Sequence, residues 1–95
     1  MTDTMNTNAV AAPFVLLTQD ACADCERLKR LLAGPLKGQY ADRITVIHRQ
    51  EQPDTFAQLA DEYELRAAPA LLHLPTGQAQ RGNFGIGEVK RFLER

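Results

Sequence analysis

Cys22 and Cys25 are the only cysteines in the chain, and they stand three residues apart in the segment Cys22-Ala23-Asp24-Cys25. Two thiols at that spacing suit a dithiol that is reversibly oxidised. On a regular helix, side chains at i and i+3 share a face with Cβ atoms about 5–6 Å apart, whereas a disulfide needs about 3.5–4.5 Å. The gap closes only if Cys22 lies at the frayed start of a helix that carries Cys25. There the unpaired N–H groups and the positive end of the macrodipole stabilise a thiolate, which is the species that attacks disulfides. Cys22 is therefore the candidate nucleophile and Cys25 the candidate resolving thiol.

The flanking sequence supplies the elements that such a pair requires. Phe14-Val15-Leu16-Leu17 reads as a buried strand and Thr18-Gln19-Asp20-Ala21 as a short turn, while Leu28, Leu31 and Leu32 form the apolar stripe of the following helix. Gly34-Pro35 and Gly38 stop that stripe, and Ile44-Thr45-Val46-Ile47-His48 is rich in β-branched residues, which predicts a second strand. After a polar connector from Arg49 to Pro53, Phe56, Leu59, Ala60 and Tyr63 recur at helical spacing. Asp54 is the expected N-cap of this second helix, which should end near Leu65. Ala70-Leu71-Leu72-His73-Leu74 predicts a third strand, joined through Pro75-Thr76-Gly77 to a weak fourth strand, Gln78-Ala79-Gln80-Arg81. Gly82, Gly85 and Gly87 break the pattern before Val89, Phe92 and Leu93 mark a short C-terminal helix, with Glu88 near its positive end. The expected order is β-α-β-α-β-β-α: an α/β chain whose first two strands are parallel and whose closing hairpin completes a four-stranded mixed sheet flanked by helices.

With 95 residues and 44% hydrophobic content, the chain has room for one small domain, expected over residues 13–95. Residues 1–12, mostly Thr, Asn, Ala and Asp, have neither the basic nor the apolar region of a signal peptide and are expected to be a disordered tail. A balance of 11 basic against 12 acidic residues leaves no electrostatic footprint for nucleic acid or an anionic membrane. Proteins or small thiols are the expected partners. No apolar run approaches the ~20 residues of a transmembrane helix, and the setting expected is cytoplasmic, where a close cysteine pair is more often catalytic or metal-binding than structural.

The element order, with the cysteine pair at the start of the first helix, resembles that of the thioredoxin-like superfamily across roughly Pro13 to Leu93. The segment Glu62-Tyr63-Glu64-Leu65-Arg66-Ala67-Ala68-Pro69-Ala70-Leu71-Leu72 looks like the thioredoxin stretch in which a helix ends, a cis-proline follows and an apolar strand begins. The resemblance implies that Pro69 is this cis-proline and that the Ala68 backbone, facing the cysteines, hydrogen-bonds an extended substrate segment. Gly82 to Glu88 resembles the glycine-rich turn that thioredoxins and glutaredoxins both place before the last helix. Four departures stand beside the likeness. Ala21 occupies the position of the tryptophan before the first cysteine of thioredoxins, Ala23-Asp24 replaces both the Gly-Pro of thioredoxins and the Pro-Tyr of glutaredoxins, and Leu16 stands where thioredoxins bury a proton-transferring aspartate. Ala67-Ala68-Pro69 also replaces the Thr-Val-Pro of glutaredoxins.

Asp24 lies inside the motif with Asp20 and Glu26 beside it, and like charge disfavours a thiolate. The helix start pulls the other way, as could Arg27, Lys29 or Arg66, so the sign of the net effect is open. Asp24 and Asp20 are taken as modulating residues, and Cys22 is expected to be less acidic than in strongly oxidising relatives, which makes the chain a reductant. Arg66 either steers substrates beside Ala67 and Ala68 or closes its helix through the dipole. His48 and His73 are expected to be structural, because neither accompanies a second catalytic group in sequence. The function expected is reduction of protein disulfides by a monomer without cofactor or metal, re-reduced by a reductase or by glutathione. The alternatives are a glutathione-dependent glutaredoxin-like enzyme, and a noncatalytic module in which the pair holds a metal or an iron-sulfur cluster.

Overall fold

The computed structural model describes residues 12–81 and 85–94. The tail expected at the N-terminus falls almost entirely outside the described residues, as do three residues of the glycine-rich turn.

Strand β1 (Phe14–Thr18) leads into helix α1 (Ala23–Ala33), strand β2 (Ile44–His48), helix α2 (Pro53–Glu62), strand β3 (Ala70–His73), strand β4 (Gln78–Arg81) and helix α3 (Ile86–Leu93). The sheet order is β2-β1-β3-β4. Strand β1 runs parallel to β2 and antiparallel to β3, and β3 pairs antiparallel with β4. This is the mixed α/β architecture that the sequence predicts.

Strand β1 has neighbours on both sides and helices over both faces, so all five of its residues are buried. That environment explains why its sequence is a continuous apolar run rather than an alternation. Successive side chains still point to opposite faces. Phe14 and Leu16 join Leu28, Leu36, Leu71, Val89, Phe92 and Leu93 in a core beneath α1 and α3. Val15 and Leu17 join Ile47, Leu59, Leu65 and Leu72 in a second core beneath α2.

Several element boundaries differ from the sequence expectation: β1 takes in Thr18, expected in the turn, and β3 stops at His73, one residue short of Leu74. Helix α2 is not capped by Asp54: its N-cap is Gln52, with Pro53 opening the helix and Asp54 inside the first turn. Proline fits that position because its fixed φ is helical and its missing N–H would be unpaired there in any case. Helix α2 also ends at Glu62 rather than near Leu65. Glu64 adopts a left-handed φ of 55°, and the Leu65 and Glu64 N–H groups donate back to the Ala60 and Asp61 carbonyls at 2.7 and 3.3 Å. This is a Schellman-type stop made without glycine. Finally, a 3-10 turn over Ala41–Arg43, unanticipated from sequence, delivers the chain into β2.

Candidate functional site

The register fixes where the functional residues meet. Thr18 at the C-terminal end of β1 pairs with His48 at the C-terminal end of β2, and Leu17 pairs with Ala70 at the start of β3. The turn before α1, the end of β2 and the segment before β3 therefore share one end of the sheet. The first of these stretches carries Asp20, Cys22, Asp24 and Cys25 there, and the last carries Ala68 and Pro69.

The turn places Ala21 at a left-handed φ of 54°, a conformation that costs a non-glycine residue about 1 kcal/mol or more. Cys22 follows in extended geometry (φ −126°, ψ 100°) as the N-cap of α1. Its sulfur accepts the Cys25 N–H at 3.1 Å, the role that a Ser or Asp oxygen usually fills at this position. The extended cap is what brings the two sulfurs together. Cys22 and Cys25 are joined in a disulfide, with Cα atoms 5.2 Å apart. Cys25 is fully buried, while Cys22 is part-exposed. Only Cys22 is open to an incoming disulfide.

The Ala68–Pro69 peptide bond is cis, and the Ala68 carbonyl oxygen lies 3.8 Å from Cys22 Sγ. Pro69 is buried and Ala68 part-exposed, and the backbone before the proline lies against the Cys22 sulfur. Arg66 is exposed and lines a groove of about 660 Å³ together with Leu17, Arg49, Phe56, Leu65 and Ala67. The groove borders the Ala67–Ala68 segment.

The three carboxylates around the motif are not equivalent. Glu26 is paired with Lys29 at 3.5 Å, and Asp20 Oδ1 lies 2.8 Å from His48 Nε2. Asp24, exposed in the first turn of α1, has no ion-pair partner among the described residues. Of the three carboxylates it is the one that no other side chain among the described residues holds. Asp24→Asn should raise the rate of Cys22 alkylation in the reduced protein about two- to fivefold at low salt, the gain shrinking as salt screens the exposed charge. Alkylation kinetics at two ionic strengths check this, and an unchanged or slower rate would exclude Asp24 as a modulator.

Leu16 occupies the first-strand position six residues before Cys22, is fully buried and belongs to the α1-side core. It supplies no proton acceptor for Cys25. His73 Nδ1 lies 2.8 Å from Thr76 Oγ1, its ring stacks near Phe14 at 4.8 Å, and it stands opposite Phe14 at the far end of the sheet. The two histidines are thus separated by the length of a five-residue strand, about 13 Å or more. Among the described residues, no three His, Cys, Asp or Glu side chains converge as a metal site, and no helix is long and apolar enough to cross a membrane.

No protein-family model and no curated protein sequence matches the chain. Among solved structures, the Malassezia sympodialis thioredoxin Mala s 13 superposes with a TM-score of 0.64 over 94% of this chain and 80% of its own, at 14% identity. The fold is thioredoxin-like. At that level of identity the likeness establishes architecture, and the chemistry has to be argued from the site itself. A thioredoxin-like fold with a joined C-x-x-C pair at the start of its first helix supports thiol-disulfide exchange in general.

Proposed function

We propose that the chain is a thiol-disulfide oxidoreductase that reduces protein disulfides through Cys22 and Cys25. The observation that carries this reading is the asymmetry of the pair: a part-exposed sulfur at the helix N-cap, against the backbone preceding Pro69, and a buried partner close enough to bond it.

In the reduced protein, the Cys22 thiolate is held by the Cys25 N–H and the start of α1. It attacks one sulfur of the substrate disulfide, forming a Cys22–substrate disulfide and expelling the other substrate sulfur as a thiolate, which takes a proton. Cys25 loses its proton and attacks Cys22 Sγ. The Cys22–Cys25 bond forms, the mixed disulfide breaks and the second substrate thiol departs. The substrate gains two electrons and the dithiol loses two, to be restored by a reductase or by glutathione. Ala68 offers its backbone to the substrate segment beside Cys22, Pro69 sets the turn that presents it, and Arg66 at the groove steers the flanking residues. A cytoplasmic setting, where such pairs stay reduced, fits this direction.

The test is turnover of insulin disulfides by metal-free native protein with dithiothreitol as electron source. Turnover above the rate of dithiothreitol alone is expected. Absence of turnover, with stoichiometric metal bound through both cysteines, would replace this reading with that of a metal-holding module.

A further inference from the structure

The turn that delivers Cys22 is fastened to the end of β2 by a set of contacts spanning 28 to 31 residues of sequence. Thr18 Oγ1, on a fully buried residue, lies 2.7 Å from His48 Nδ1. His48 Nε2 lies 2.8 Å from Asp20 Oδ1. The Asp20 N–H donates to Gln50 Oε1 at 2.8 Å, and Arg49 donates to Gln19 Oε1 at 3.2 Å. The Arg49 N–H donates to the Thr18 carbonyl at 2.9 Å. Since a carboxylate only accepts, Nε2 carries the hydrogen toward Asp20. In the neutral ring Nδ1 is then the acceptor for the Thr18 hydroxyl. One imidazole therefore satisfies a buried hydroxyl on one side and grips the turn on the other.

We propose that His48 is a positioning residue for the dithiol, acting through Asp20. The turn it grips contains Ala21 in its left-handed conformation and ends in the extended Cys22 cap. Both are conformations that a free chain populates sparingly or shares with many others. Holding Asp20 restricts the turn to the conformation in which Cys22 Sγ faces Cys25, raising the effective concentration of one thiol for the other. Asp20 is thereby an anchor of the site rather than chiefly a charge that repels the thiolate. This inference rests on Cys22 and Cys25 being a redox pair and adds what holds them in register.

The experiment is the equilibrium between the Cys22–Cys25 dithiol and mixtures of reduced and oxidised glutathione, measured on the full chain without any protein substrate. A chain that proved inactive on insulin would overturn the proposed function and leave this test standing. His48→Ala and Asp20→Ala should each lower the equilibrium constant for forming the disulfide about two- to tenfold, the worth of one hydrogen bond. The double variant should add little to either single one. Asp20→Asn keeps an acceptor for Nε2 and should stay within about twofold of the native value. His48→Ala separates position from charge: the neutral ring carries no charge to remove, so the Asp20 carboxylate keeps its charge and a lowered constant reports loss of the grip. An unchanged or raised constant in His48→Ala would overturn the proposal, as would an Asp20→Asn value equal to that of Asp20→Ala. Should His48→Ala fail to fold because Thr18 is left unpaired, the two Asp20 variants, altered at an exposed side chain, decide the matter.

Discussion

Replacing Cys22 with serine is expected to bring insulin-disulfide reduction down to the rate of dithiothreitol alone, a loss of at least about a hundredfold, because a serine hydroxyl stays protonated where a thiol yields the attacking thiolate. No other sulfur can substitute. Cys25 is the only other cysteine in the chain, and it is fully buried within the first turn of α1. The fold should survive the substitution, since serine is itself a favourable N-cap and can accept the Cys25 N–H in place of the sulfur. Turnover measured beside the unfolding midpoint separates the two effects. Retention of more than a tenth of native turnover in Cys22→Ser would place the attacking group elsewhere.

The second large effect is on stability. Phe14→Ala should destabilise the protein by about 3–5 kcal/mol, a substantial share of the 5–15 kcal/mol typical of whole domains. Phe14 is fully buried at the start of β1. Its ring meets Phe92 of α3 at 5.8 Å and His73 of β3 at 4.8 Å, and the Arg43 guanidinium sits over it at 5.6 Å. Truncation therefore empties a space bounded by three elements that cannot all collapse into it. The cysteines lie beyond the opposite end of β1, so the fraction that remains folded should keep its exchange chemistry. Urea denaturation of native and variant protein checks the value, and a cost under 1 kcal/mol would mean that this core is not what holds α3 to the sheet.

Much of this was legible in the sequence because the signals were local. The β-branched run at 44–48 is a strand to the residue, and the assignment of Cys22 to the helix start followed from the pair's spacing together with the strand, turn and apolar stripe that flank it. The cap geometry and the burial contrast between the two sulfurs bear out that argument. What escaped depended on partners far along the chain or on uncommon backbone choices. The end of α2 was set by a left-handed glutamate where the usual signal is glycine, and its start by Pro53 rather than by a polar cap. The grip of His48 on Asp20 was invisible for a different reason. Each residue alone reads as an ordinary polar side chain, and only the parallel register that sets Thr18 against His48 brings the two turns together.

The account's central claim is that Cys22 attacks and Cys25 resolves. The most direct test incubates Cys25→Ser with a protein disulfide, quenches with acid and maps the adduct by mass spectrometry. The account predicts a stable mixed disulfide at Cys22, approaching one equivalent, that the native protein does not accumulate. Full turnover by Cys25→Ser with no trapped adduct would contradict it.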